Sequence, residues 1–116
     1  SFTPKTVFHA LDYNDKSTIS GWSMPSSRYI DFTLGASGST YTAPANGWFD
    51  FIHQGSNGQF LVLKNTSNLF EVVSVIYNQG FARVFIPCKK GDIIRVEYNA
   101  DGSYAKLFFY YAEGEN

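Results

Sequence analysis

The sequence predicts an all-β fold, a sandwich or barrel of about eight short antiparallel strands, on three observations. Aromatic residues make up 18% of the 116-residue chain and charged residues only 16%, a balance unlike that of long solvated helices. Turn-forming residues recur at short intervals, at Asn46-Gly47, Ser56-Asn57-Gly58, Gln79-Gly80, Lys90-Gly91-Asp92 and Asp101-Gly102. The runs between them are rich in β-branched and aromatic side chains, which is the spacing of sandwich and barrel strands.

The runs fall at residues 6–13, 29–34, 48–53, 59–64, 69–77, 81–87, 93–98 and 104–111. From Asp15 to Thr42 the chain is dense in Ser, Thr and Gly. Trp22, Met24, Tyr29, Ile30 and Phe32 anchor that stretch, which reads as loops flanking one strand. Trp48 opens the next run directly after Asn46-Gly47. In 59–64, Gln59, Leu61 and Leu63 share one face and Phe60, Val62 and Lys64 the other, so burial on both sides is expected. Val72, Val73, Val75 and Ile76 would crowd a helix and suit a pleat. The Lys90-Gly91-Asp92 turn between 81–87 and 93–98 reads as a hairpin, as do the other Gly-containing turns.

The last run carries the strongest signal. Tyr104, Lys106, Phe108 and Tyr110 alternate with Ala105, Leu107, Phe109 and Tyr111, so aromatic side chains fall on both faces of one strand. A sheet in a monomeric sandwich has a single inner face. The second aromatic face needs a cover, and subunit association would supply it.

Length and charge narrow the function classes. A chain of 116 residues is expected to form one domain, and folding at this size hides about two-thirds of the extended chain's surface, enough for a core without metal or disulfide support. Few aromatics and many charges mark disordered chains, the opposite of this balance. No apolar run approaches the ~18 residues that span a bilayer, and the start of the chain lacks a signal-peptide block. Nine Lys and Arg against ten Asp and Glu give a net charge of −1, with no basic cluster larger than Lys89-Lys90, so a nucleic-acid partner is not expected. Cys88 is the lone cysteine and is expected as buried filler.

Catalytic signals are weak. His9 and His53 are the two histidines, neither accompanied by a Gly-x-Ser-x-Gly elbow, and both read as ordinary strand-face residues. Asp12, Asp15, Asp31 and Asp50 could pair as glycosidase carboxylates, but ten acids on a small domain produce such pairs by chance. The Asp12-Tyr13-Asn14-Asp15 stretch lacks the glycine and bidentate acid of a calcium loop and reads as a turn. Asn65-Thr66-Ser67 fits a glycosylation sequon. Neither catalytic residue, metal nor cofactor is expected. Exposed aromatics remain: Trp22, Tyr29, Tyr41, Trp48, Tyr77 and Tyr104 could stack on sugars, or fill a core or an interface.

Two blocks bring a family into view. Tyr41-Thr42-Ala43-Pro44-Ala45-Asn46-Gly47-Trp48 and, about forty residues later, Phe85-Ile86-Pro87-Cys88-Lys89-Lys90-Gly91-Asp92 closely resemble the C-terminal domains of bacteriophage tail fibres and related prophage proteins. Leu11-Asp12-Tyr13 resembles an acidic-Tyr motif near the start of those domains. The resemblance implies a trimeric jelly-roll sandwich similar to the tumour necrosis factor and complement globular-head superfamily, with the last strand near the threefold axis. Residues 1–116 would then be a single domain forming the C-terminal part of a longer fibre protein. Its expected function is non-catalytic attachment at the virion fibre tip to a bacterial surface receptor, glycan or protein, without membrane insertion.

Under this reading the trimer interface is expected at Leu107, Phe108, Phe109, Tyr110 and Tyr111. Ligand contacts are expected at Trp22, Tyr77, Asn78, Gln79 and Tyr104. Two alternatives stay open: a monomeric carbohydrate-binding module of a bacterial surface or secreted enzyme, and a trimerisation or capping domain without a ligand.

Overall fold

The computed structural model describes residues 25–114. The expected strand at 6–13, with His9, Asp12, Asp15, Trp22 and Met24, lies outside the described residues. Eight strands follow in order: β1 (Pro25–Phe32), β2 (Thr40–Thr42), β3 (Gly47–Gly55), β4 (Phe60–Asn65), β5 (Phe70–Val75), β6 (Gly80–Cys88), β7 (Ile93–Tyr98) and β8 (Ala105–Ala112). They form two four-stranded antiparallel sheets, ordered β1-β8-β3-β6 and β2-β7-β4-β5. This is the strand order of a jelly roll, two sheets packed face to face with the chain passing repeatedly from one to the other.

That connectivity corrects the hairpin reading of the turns. Only β4 and β5 are consecutive strands that pair with each other, through six residue pairs from Phe60↔Val75 to Asn65↔Phe70. Their turn contains no glycine and instead holds Leu69 at φ 66°. Gly58 and Gly91 do adopt positive φ, but each lies in a connection that leaves one sheet for the other. Gly47 and Gly102 serve close approach. A Cβ on Gly47 would sit 2.2 Å from the Tyr110 carbonyl oxygen, and one on Gly102 would sit 2.6 Å from that of Gln54.

The core lies between the sheets and follows the period-two alternation. Phe49 and Phe51 of β3, Val84 and Ile86 of β6, and Leu107 and Phe109 of β8 meet Leu61, Leu63, Ile94 and Val96 from the facing sheet. Leu107 and Phe109, expected at a subunit interface, are therefore fully buried inside the chain's own sandwich. Tyr111 also packs against this core, stacked edge-on to Phe109 with ring centroids 5.2 Å apart. Burial on both faces of β4 holds in part: Leu61 and Leu63 are core, and Val62 on the opposite face is also buried.

Side-chain hydrogen bonds fasten the connections at each end. At one end Asn65, wholly buried, donates from Nδ2 to Asp92 Oδ2 at 2.8 Å, and its Oδ1 accepts from the Ser67 backbone. The sequon asparagine is thus a structural clamp between the β4–β5 and β6–β7 connections. At the other end the Tyr98 hydroxyl donates to the Gly35 carbonyl at 2.7 Å, and Tyr41 accepts from Gly35 N–H.

Candidate interaction surfaces

Register places the outward side chains of the β1-β8-β3-β6 sheet in transverse rows, because directly paired residues share a face. One row runs Tyr29, Tyr110, Trp48, Pro87 across the four strands. The next runs Asp31, Phe108, Asp50, Phe85. A third holds Lys106, Ile52 and Arg83, and beyond it Gln54 pairs with Phe81. The face is mostly aromatic and aliphatic. At its β1–β8 side Tyr29 stands edge-on to Phe108 and tilted to Tyr110, both at 5.5 Å between centroids. At its β6 side Phe81 meets Tyr104 at 5.6 Å.

Charges on this face come in two internal pairs. Asp50 points outward from the middle of the sheet yet is wholly buried, because aromatic neighbours flank it and Arg83 reaches it from the adjacent strand. Arg83 Nε donates to Asp50 Oδ1 at 2.8 Å and Nη2 to Oδ2 at 2.6 Å. The carboxylate raises the Arg83 pKa through that hydrogen bond, against a smaller desolvation effect, and the guanidinium also lies over the Phe85 ring at 5.1 Å. Lys106 Nζ approaches Asp31 Oδ2 at 3.4 Å. Both acids occupy one row and both bases the next, so the face carries no net charge.

The apolar surface continues past the edge of this face. Beside Phe81 and Phe85 of β6 runs β5, the edge strand of the facing sheet, where Phe70, Val73 and Val75 are exposed. Apolar side chains along a strand edge that pairs with no other described strand invite association.

The expected ligand residues separate by position. Tyr77 is 80% exposed in the β5–β6 connection, with Asn78 beside it at φ 60°. Asn78 N–H donates to Asn57 Oδ1 of the β3–β4 connection at 2.9 Å, and Tyr104 N–H donates to Gln54 Oε1 where β3 ends. Tyr77, Asn78, Gln79 and Tyr104 therefore belong to loops gathered at one end of the sandwich. Pro25, the start of β1, pairs with Ala112 at the other end. Trp22 lies outside the described residues. Asp50 stood in the sequence only as a candidate carboxylate, and its pairing with Arg83 went unnoticed because the two lie on different strands, 33 residues apart.

The remaining candidates are structural. His53 faces inward, almost fully buried, with rings of Phe51 and Tyr98 at 6.1 and 5.0 Å, and its Nδ1 donates to the Gln54 carbonyl. It is thus a strand-face residue as read, on the inner face of β3. Among the described residues no three His, Cys, Asp or Glu side chains group as a metal site. Cys88 is buried, and desolvation together with the Asp92 charge pushes its thiol pKa up to about 12. Comparison with known proteins finds no protein-family model that matches the chain and no match among curated proteins.

Proposed function

We propose that this domain is the non-catalytic, homotrimeric tip of a bacteriophage tail fibre and binds a receptor on the bacterial surface. The observation that supports it most is the charge-balanced outer face of β1-β8-β3-β6, rich in the aromatic residues that protein interfaces favour. Phe108 and Tyr110 are its contribution from β8. The β5 edge strand, with Val73 and Val75 exposed, belongs to the facing sheet, so one copy's β5 edge can meet the next copy's aromatic face. Contacts between two different surfaces build rings when the rotation closes. The number three comes from the tail-fibre resemblance of 41–48 and 85–92.

In such a ring the loops bearing Tyr77, Asn78, Gln79 and Tyr104 lie together at one end, away from Pro25. Three copies of a weak site on one rigid tip bind a repetitive surface with avidity. A glycan or a surface protein fits this arrangement equally, in an extracellular setting on the virion.

The mass in solution tests the reading. A stable trimer at micromolar concentration, with binding to bacterial cells that falls when Tyr77 and Tyr104 are both replaced by Ala, is the expected result. A stable monomer overturns it. The same aromatic face favours a second reading, a carbohydrate-binding module, and a monomer that binds polysaccharide and loses it on Trp48→Ala and Phe85→Ala would establish that one. A trimer that binds no cell or glycan would leave only a capping role.

A further inference from the structure

The ion pair at the centre of the aromatic face is costly for an isolated domain. Removing a carboxylate from water loses hydration that one guanidinium only partly restores, and apolar residues of similar volume often do as well or better. Asp50 is nonetheless wholly buried on an outward-facing position, in a sheet whose inner face is already a complete core. Arg83 spends Nε and Nη2 on it, and Nη1 makes no hydrogen bond to any described residue. The side chain keeps 49% of its exposure, so this donor fork is presented at the surface among Phe85, Phe81 and Tyr104.

We propose that Asp50 and Arg83 form the specificity element of a self-association surface: Arg83, held by Asp50, offers its spare donor to an acceptor on a second copy of this chain. The occupant follows from charge. Asp50–Arg83 and Asp31–Lys106 are each neutralised within the chain, so the face presents no net charge for an acidic or basic partner, and a second copy, with a net charge of only −1, suits it better than a strongly charged one. The pair then does what aromatic contact alone does poorly. Stacked rings tolerate sliding, whereas a planar guanidinium already fixed by two bonds accepts a partner in few orientations. An arrangement that buries Arg83 without an acceptor is penalised, which selects one register among many apolar ones.

This inference rests on the association proposed above, and the experiment separates the two. Native mass spectrometry and sedimentation velocity are run on the wild-type domain, on Asp50→Leu/Arg83→Met, and on Arg83→Lys, each checked for folding by near-ultraviolet circular dichroism. Wild type is expected as one discrete oligomer. The double variant, which keeps the apolar face and removes both charges, is expected to associate into a mixture of sizes. Arg83→Lys keeps the charge and loses the fork, and is expected to weaken association by roughly 30-fold or more. A monomeric wild type overturns both proposals. A discrete wild-type oligomer matched in size and affinity by either folded variant overturns the specificity role alone. Should the double variant fail to fold, Arg83→Lys alone decides.

Discussion

Alkali should weaken this fold through a single thiol. Cys88 is 1% exposed at the end of β6, its Sγ 3.5 Å from the Gly47 carbonyl, and its pKa is raised from 9.0 to about 12 by desolvation first and the Asp92 charge second. The folded state therefore holds this proton more tightly than the unfolded chain does. Stability from that difference is complete below about pH 9 and drains away as pH rises toward 12. Three units at 1.36 kcal/mol each set the full loss at about 4 kcal/mol, and halfway through the window it is about 2 kcal/mol. Tyr98, raised by burial, adds a loss of the same sign at higher pH.

A Cys88→Ala variant isolates the thiol, since Tyr98 titrates in both proteins. Guanidinium unfolding at pH 8 should place the variant about 1–2 kcal/mol below wild type, for lost packing. Between pH 8 and 10.5 the wild type should then lose about 2 kcal/mol more than the variant. Equal losses over that interval would show that Cys88 is not held neutral by burial, and the assignment of its environment would be wrong.

Further expectations concern single positions. Gly47→Ala should cost about 3 kcal/mol or more in a chemical melt, because its methyl would meet the Tyr110 carbonyl and the Phe109 ring within 2.6 Å. Leu69→Gly should stabilise by about 0.5–1 kcal/mol, relieving a left-handed backbone at an exposed side chain. Asn65→Ala should cost about 1–3 kcal/mol by stranding the Ser67 N–H and leaving Asp92 with only the Lys89 N–H, and the folded domain should resist glycosylation there. Under the proposed association, Phe108→Ser with Tyr110→Ser should keep the domain folded by circular dichroism while shifting its mass in light scattering to that of a monomer.

Most strands were legible because they alternate. The runs at 29–34, 48–53, 59–64, 69–77, 81–87, 93–98 and 104–111 fall on β1 and β3 to β8 with ends displaced by a few residues. β2 escaped because a three-residue edge strand with one inward side chain, Tyr41, shows no period. Sheet order was not legible from the turns, since a glycine permits a reversal without choosing which sheet receives the next strand. That choice comes from packing, as when Phe49 and Phe109 meet at 5.2 Å across neighbouring strands. Alternation in β8 correctly divided its side chains into two sets, but could not say which set was core. Phe109 and Leu107 are, and Phe108 and Tyr110 are left outside. The Asp50–Arg83 pair has no local signature at all.

β8 is the last of the eight strands, and it lies between β1 and β3. Until it is in place, β1 has no neighbour among the described strands of its sheet and β3 has one open edge. Five of the six strand pairings among the described residues join segments that are not consecutive, and β1–β8 joins the first strand to the last. Such a topology folds slowly, because long loops must close before contacts reward them. During synthesis β1 and one edge of β3 stay open until β8 has been made, exposing strand edges that can pair between chains. If copies associate as proposed, the order of events matters: each sandwich must insert β8 before its apolar face meets another copy.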